Sequence, residues 1–170
     1  GLWCRHRESA FMAGQHELVI GGGAESMSRG PYFAMGARWG VRMGDVQMLD
    51  YMLNILHDPF HRIHMGVTAE NVADRYGITR TQMDELAAES HRRAAQAIAE
   101  GRFREQIVPV RIATRKGEVL FDTDEHAKPE TSVEVLAKMK PAFRREGGRV
   151  TAGNASGING GAAAVGLATG

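Results

Sequence analysis

The clearest hydrophobic pattern of this chain lies over residues 80–100, where apolar side chains recur every three or four positions: Met83, Leu86, Ala87, Ala94, Ala97 and Ile98. This spacing places them on one face of a helix. Thr79 and Gln82 have the spacing of a capping box, in which a hydroxyl and an amide satisfy two backbone N–H groups. Gly101 is placed to end the helix. The pattern therefore predicts an amphipathic helix with two defined ends.

Two apolar runs predict buried strands near the two ends of the chain. Residues 18–20 enter a run of glycines, and residues 162–167 are small and apolar and follow a glycine-rich turn. Between them the patterns predict further elements: a helix near 48–56, a short helix capped by Thr68 and ended by Gly77, strands over 107–110 and 119–121 around a turn at 115–117, and a helix from Thr131 or Ser132 to about Lys138. This order predicts an α/β core that carries a long insertion.

Composition narrows the class of protein. The chain has 170 residues, 43% of them hydrophobic and 24% charged, with a net charge of +1. These values are typical of a globular protein of one domain or slightly more, and they do not favour a nucleic-acid binder. No apolar run approaches the roughly 20 residues of a membrane span, so no membrane partner is expected. Cys4 is the only cysteine, which excludes an internal disulfide and fits a reducing cytoplasm.

Three segments contain candidate chemistry. Residues 22–28 (GGAESMS) and 151–161 (TAGNASGINGG) combine glycines with small polar residues. Either segment is a tight turn beside a strand, or a place where the backbone approaches a thin ligand. Residues 57–66 hold three histidines, which raises the possibility of a zinc site. Pro59 argues against a regular helix that would bring His57 and His61 together, and no glutamate occupies the position it has in a metalloprotease helix.

The order and spacing of three motifs resemble the thiolase family: residues 22–28 (GGAESMS), 64–71 (HMGVTAEN) and 151–157 (TAGNASG). The resemblance runs from about Ala13 to Leu167. Residues 37–64 are similar to the bacterial β-ketothiolases of polyhydroxyalkanoate synthesis. The resemblance implies an acyl-CoA C-acyltransferase, such as an acetyl-CoA acetyltransferase, which makes or breaks carbon–carbon bonds between acyl-CoA thioesters.

The resemblance also implies a fold. Thiolases have two similar halves, and a loop domain inserted in the first half covers the CoA site. Residues 1–28 would end the first core half, residues 29–150 would form the loop domain, and residues 151–170 would return to the core. We therefore expect an α/β chain with a partial thiolase fold, truncated before the second half. The family is homo-oligomeric, as a dimer or tetramer, and we expect a cytoplasmic protein.

The chemistry implied by the resemblance needs a nucleophilic Cys, a His that activates it and a second Cys that moves the α-proton. The family places the nucleophile upstream of Gly1, and the other two residues in the second half. Cys4 lies too close to Gly22, and its neighbours do not match. We therefore expect no catalytic residue here and no activity of this chain alone. No cofactor is expected, since coenzyme A thioesters are the substrates.

Binding roles can be carried over to matching positions. Ser156 matches a family serine that contacts the pantetheine arm of CoA. His64 and Met65 match loop-domain residues that line the CoA channel.

Further positions match weaker family contacts. Leu56 and Phe143 match apolar positions against the adenine and pantetheine, and Ala152 matches a backbone contact. Lys128 falls near a family arginine that serves the nucleotide end of CoA. It keeps the positive charge but lacks the planar fork of donors of an arginine.

Departures from the family pattern leave alternatives open. Residues 1–12 lack the apolar helix of the family, Gly160 follows Asn159 where an aspartate is frequent, and one extra residue lies near Gly147. One alternative is a non-catalytic acyl-CoA-binding or structural remnant of a damaged thiolase gene. Another is a metalloprotein built on the histidines of residues 57–64.

Overall fold

The structure is a computed structural model that describes residues 11–168. Cys4 and the first residues of the expected core segment lie outside the described residues. The chain divides into two compact units. One consists of Gly1–His57 with Ile158–Gly170, and the other of Asp58–Gly157. Within the described residues, no helix is both long enough and apolar enough to cross a membrane.

The first unit consists of short strands and one short helix. Strand β1 (Leu18–Glu25) pairs in antiparallel orientation with strand β6 (Gly161–Ala168). Strand β2 (Tyr32–Ala34) pairs with strand β3 (Met48–Asp50), and helix α1 (Tyr51–Ile55) follows at once. The prediction of a helix near 48–56 is thus wrong for its first three residues, which pair as β3. The helix starts only after Asp50, because the Asp50 side chain caps α1 by accepting the N–H of Met52 at 2.8 Å.

The strands β1 and β6 confirm the two predicted strands, but the prediction that both are buried is wrong. Val19 is buried, whereas Leu18 and Ile20 are each 67% exposed and nearly all of β6 is exposed. Successive side chains of a strand point to opposite faces. Val19, Gly21 and Leu167 are at least partly covered on one face of this two-stranded sheet, whereas the rest of that face and the whole of the other are exposed.

The second unit contains the longer helices. Its elements are helix α2 (Met65–Tyr76), helix α3 (Arg80–Ala99), strand β4 (Val110–Thr114), strand β5 (Gly117–Phe121) and helix α4 (Val133–Ala137). Strands β4 and β5 form a hairpin. The predicted strand at 107–110 is wrong for its first three residues. Pro109 has no N–H to donate to a ladder, and β4 begins at the next residue.

The helix ends show which local signals were reliable. The capping box of α3 is confirmed: Gln82 N–H donates to the Thr79 hydroxyl at 3.2 Å, and the Gln82 side chain accepts from the Thr79 N–H at 2.8 Å. The prediction that Thr68 caps α2 is wrong. His64 caps it one turn earlier, because its ring Nδ1 accepts the N–H of Gly66 at 3.0 Å. Gly77 ends α2 in the left-handed conformation, as predicted.

The core of the second unit joins α2, α4 and the chain that leads to residue 151. Ala73, Leu136 and Val150 are its buried apolar side chains. The predicted apolar face of α3 is only partly buried, since Leu86 is 72% exposed. Two carboxylates, Glu70 and Asp84, are buried among these elements, and both act on the glycine-rich segment.

Candidate functional site

The segment at residues 151–157 is anchored from helix α2 by a buried carboxylate. Glu70 is fully buried, and its Oε1 accepts the backbone N–H groups of Arg149 and Val150, each at 2.8 Å. These are the two residues directly before Thr151. Buried N–H groups need such partners, because an unsatisfied one costs free energy comparable to a lost hydrogen bond. The motif of residues 64–71 therefore fixes the backbone that enters the motif of residues 151–157.

A second buried carboxylate holds the same segment from helix α3. Asp84 Oδ1 accepts from the Asn154 amide at 2.8 Å, and its Oδ2 pairs with Arg80 Nε at 2.7 Å. Arg80 also donates to the carbonyls of Leu136 and Met139 near the end of α4. A buried charge is tolerated when it is paired and hydrogen-bonded. Asp84 thereby joins α3, α4 and the glycine-rich segment at one point.

The segment itself forms a tight turn held by its own side chains. The Thr151 hydroxyl accepts from the N–H groups of Gly153 and Asn154, at 3.2 and 3.3 Å. The side-chain oxygen Oδ1 of Asn154 accepts from the Thr151 N–H at 2.7 Å. Gly153 allows close packing, because a Cβ there would lie 2.4 Å from the Leu136 side chain and 2.5 Å from the Met139 sulfur, and both side chains would have to move. Of the two alternatives for this segment, the structure shows the tight turn, and hydrogen bonds and packing hold it in place.

Ser156 lies at the exposed end of this turn and lines a groove of about 460 Å³. Helix α3 supplies one wall, the residues around 124–127 a second, and the turn a third. The wall from α3 is mostly apolar, whereas the groove also holds serine, histidine and carboxylate groups. The lining residues are Met83, Leu86, Ala87, Ser90, His91, Ala94, Asp124, His126, Ala127, Gly153, Asn154, Ala155 and Ser156. A largely apolar slot with a few polar anchors is typical of a small-molecule site.

His64 and Phe143 form a second local cluster. Their ring centroids are 4.7 Å apart and the planes are inclined by 33°. Gly66 makes this approach possible, since a Cβ at that position would lie 2.0 Å from the Phe143 ring. The helix start that His64 caps is thus packed directly against the residues before the glycine-rich segment. The structure brings together two of the residues to which sequence analysis gave binding roles.

The other candidate residues are distributed more widely. Met65 begins α2 and is 53% exposed. Ala152 is exposed in the turn that also carries Ser156. Lys128 is exposed and its backbone N–H donates to His91 Nδ1 at 3.1 Å, so it borders the groove. Leu56 belongs to the first unit, where it follows the last turn of α1.

The histidines near residue 60 each use a ring nitrogen locally. His57 Nδ1 contacts the Leu53 carbonyl at 2.6 Å, and His61 Nδ1 pairs with Asp58 Oδ2 at 2.6 Å. The Asp58 carboxylate accepts from the Phe60 backbone and the His61 ring, which lowers its pKa. In residues 11–168, no group of three or more His, Cys, Asp or Glu side chains could hold a metal ion.

A surface ion cluster supports the same backbone from outside. Asp74 on α2 pairs with both Arg144 and Arg149, and the hydrogen bonds from Arg144 first and Arg149 second lower its pKa. Arg144 also donates to Asn71 at 2.6 Å. Because these groups are partly exposed, water screens part of their attraction. Their effect is to orient residues 144–149 over α2.

Sequence analysis missed the buried acids Glu70 and Asp84. A signal was present, since Glu70 stands three residues before Ala73, and residues at that spacing share one helix face. An acid on the apolar face of a helix predicts a buried partner. The partner itself could not be identified, because it lies 79 or 80 residues further along the chain.

The family of the chain follows from comparison with known proteins. Residues 7–170 match the family described as thiolase, N-terminal domain, and the chain belongs to this family. It is 60% identical over 155 residues to the beta-ketothiolase BktB of Cupriavidus necator, with 91% of this chain and 39% of that protein covered.

Solved structures confirm a partial thiolase fold. The acetyl-CoA acetyltransferase from Syntrophomonas wolfei has a TM-score of 0.84 and 45% identity, over 96% of this chain and 42% of that one. The human mitochondrial 3-ketoacyl-CoA thiolase in complex with CoA has a TM-score of 0.81 and 36% identity, over 99% of this chain and 42% of that one. The chain therefore spans about two fifths of the length of these relatives.

Proposed function

We propose that this chain is part of a thiolase-type acyl-CoA C-acyltransferase, an acetyl-CoA acetyltransferase or β-ketothiolase, and that it supplies part of the wall of the CoA site. The observation that carries the proposal is the bridge from Glu70 to Arg149 and Val150, which places the motifs of residues 64–71 and 151–157 in one rigid unit. Ligand-binding side chains must be fixed by their surroundings if they are to act together.

The residues of the site divide the proposed work between two parts of CoA. The Ser156 hydroxyl offers a donor and an acceptor to the amides of the pantetheine arm, and the apolar groove beside it accommodates the thin chain. His64, Met65 and Phe143 do not line this groove, and we assign them to a separate contact with CoA. Lys128 offers a positive charge to the nucleotide end. The loop-domain assignment of residues 29–150, the homo-oligomer and the cytoplasmic location are parts of the same proposal, supported by family membership.

The reacting groups are expected elsewhere. By the family resemblance, the acyl-accepting Cys, the activating His and the proton-moving Cys match no position in these 170 residues. We therefore expect the 170-residue chain alone to show no thiolysis of acetoacetyl-CoA by CoA above background. Turnover that survives repurification would contradict this assignment.

A hybrid enzyme tests the proposed function. This chain replaces the matching segment of the Cupriavidus necator beta-ketothiolase, and the thiolysis of acetoacetyl-CoA is measured. We expect an active hybrid, in which Ser156→Ala raises the KM for CoA roughly three- to tenfold, the size of one hydrogen bond, while kcat stays within about twofold. His64→Ala should act in the same direction. Thr81→Ala, an exposed hydroxyl that does not line the groove, is the control and should change neither constant.

The same hybrid separates the proposal from its alternative. An inactive hybrid that still binds CoA by calorimetry would favour a non-catalytic acyl-CoA-binding remnant. An active hybrid in which Ser156→Ala lowers kcat and leaves KM unchanged would show that Ser156 acts on the transition state and not in ground-state binding.

A further inference from the structure

We propose that Glu70 is a positioning residue for CoA binding, because a single oxygen of its side chain sets the backbone from which the turn carrying Ser156 starts. The inference rests on the proposed function, since it assigns a role within the same CoA site. Glu70 lies within the motif of residues 64–71, but the resemblance gave it no role, and the inference follows from its burial and hydrogen bonds.

The geometry of Glu70 is specific to the turn. Its side chain is fully buried, and Oε1 accepts the N–H groups of two consecutive residues, Arg149 and Val150, which precede the turn directly. An acceptor shared by two neighbouring N–H groups fixes both the position and the direction of the chain at that point. A displacement here would be carried into residues 151–156, because the hydrogen bonds of Thr151 and Asn154 make that turn rigid.

Helix α2 therefore controls two parts of the site. His64 caps its first turn and stacks on Phe143, and Glu70 lies less than two turns further along the same helix. Because a helix is rigid over two turns, the positions of His64 and Glu70 are fixed relative to each other. Glu70 thus keeps the turn with Ser156 in register with the pair His64 and Phe143.

The hydrogen bonds of Glu70 need an oxygen at one position and use only half of the carboxylate. Its Oε2 is buried and has no hydrogen-bond partner within residues 11–168. A glutamine can place its carbonyl oxygen at the position of Oε1 and keep both bonds. An aspartate has the charge, but its side chain is one carbon shorter and withdraws the oxygen from the two N–H groups. Glu70→Gln should therefore bind CoA better than Glu70→Asp. If only the negative charge were required, Glu70→Asp would bind CoA better.

The test uses the hybrid enzyme as parent and measures KM for CoA, kcat and the thermal midpoint. We expect Glu70→Ala and Glu70→Asp to raise KM about fivefold or more, the size of one misplaced hydrogen bond to the ligand, with kcat within about twofold. Glu70→Gln should stay within about twofold of the parent in both constants. Glu85→Ala removes an exposed glutamate of α3 and is the matched control.

Several results would overturn the inference. One is a KM for CoA in Glu70→Ala equal to that of the parent, and another is a rise in KM as large in Glu70→Gln as in Glu70→Ala. A third is a lower thermal midpoint with KM unchanged, which would indicate a purely structural role. If Glu70→Ala does not fold, the Gln and Asp variants carry the test, because they are expected to separate in KM. Calorimetric CoA binding is measured on the same proteins. An inactive parent that binds CoA contradicts the proposed function and still tests Glu70, and a parent without binding overturns both.

Discussion

Replacement of Gly66 by alanine should be destabilising even though alanine is the better helix former. A Cβ at residue 66 would lie 2.0 Å from Phe143 Cε2 and 2.1 Å from Cζ. Carbon atoms in contact normally lie about 3.5–4.0 Å apart, so the ring would have to move by roughly 1.5 Å. The stacking of Phe143 on His64, with centroids 4.7 Å apart, would be lost in the process.

The magnitudes of the opposing terms decide the sign. Alanine in place of glycine stabilises a helix by about 0.5–1 kcal/mol. Overpacking costs about 1–3 kcal/mol, and loss of a ring pair a further 0.5–1.5 kcal/mol or so. We therefore expect Gly66→Ala to lower the free energy of unfolding by about 2 kcal/mol. In the hybrid enzyme the displaced Phe143 should also raise the KM for CoA.

A double-mutant cycle isolates the clash from other effects. The full 170-residue chain, at a concentration where sedimentation shows a monomer, is unfolded in urea and followed by circular dichroism. The four proteins are the unmutated chain, Gly66→Ala, Phe143→Ala and the double variant. Without the ring, Gly66→Ala should be neutral or slightly stabilising, which gives a coupling energy of about 2–3 kcal/mol, well above the usual error of such cycles. A Gly66→Ala variant as stable as the parent, or equally destabilised in both backgrounds, would refute the reasoning.

The remaining predictions concern the supports of the site and the exposed sheet. Arg80→Ala should lower the free energy of unfolding by about 3 kcal/mol, because it leaves Asp84 buried without its cation, and a destabilisation below about 1 kcal/mol in urea titration would contradict this. Hydrogen bonds from Arg92 first and Arg93 second lower the pKa of Glu89 from 4.5 to about 2. Since the folded pKa is depressed, this contribution to stability should be complete above pH 4.5 and lost as the pH falls toward 2, and an NMR titration midpoint near 4.5 would refute it. The chain alone should self-associate through the open apolar faces and edges of β1 and β6, so its sedimentation coefficient should rise with concentration.

Local signals in the sequence were sufficient for the ends of several helices. The capping box of Thr79 and Gln82 and the stop at Gly77 depend only on residues within one turn, and both are confirmed. The predicted cap of α2 was wrong because histidine is not among the preferred cap residues, so the sequence pattern did not indicate His64. Its ring nitrogen nevertheless accepts the N–H of Gly66, and this moves the start of the helix from Thr68 to His64.

The supports of the site could not be predicted because they depend on distant pairs. Glu70 reaches residues 149 and 150, and Asp84 reaches Asn154, so each bond joins residues at least 70 positions apart. Helical spacing indicates which face a side chain lies on, but it does not identify the partner on another element. The family resemblance supplied the binding roles. It supplied no role for Glu70 and Asp84, which are not among the expected catalytic or CoA-binding residues.

The polar residues of the segment 151–157 have different tasks, and this affects which experiment is informative. Thr151 is fully buried and Asn154 is bonded to Asp84, so both hold the turn in place. Ser156 is exposed at the groove and contributes to none of these bonds among the described residues. A protein that kept only the fold would still need Thr151 and Asn154, whereas Ser156 is required only if a ligand binds. Loss of stability on mutation of Thr151 would thus fit an active enzyme and a remnant equally well. A selective rise in KM on mutation of Ser156 is expected only from a working CoA site, and for this reason Ser156→Ala is the decisive variant.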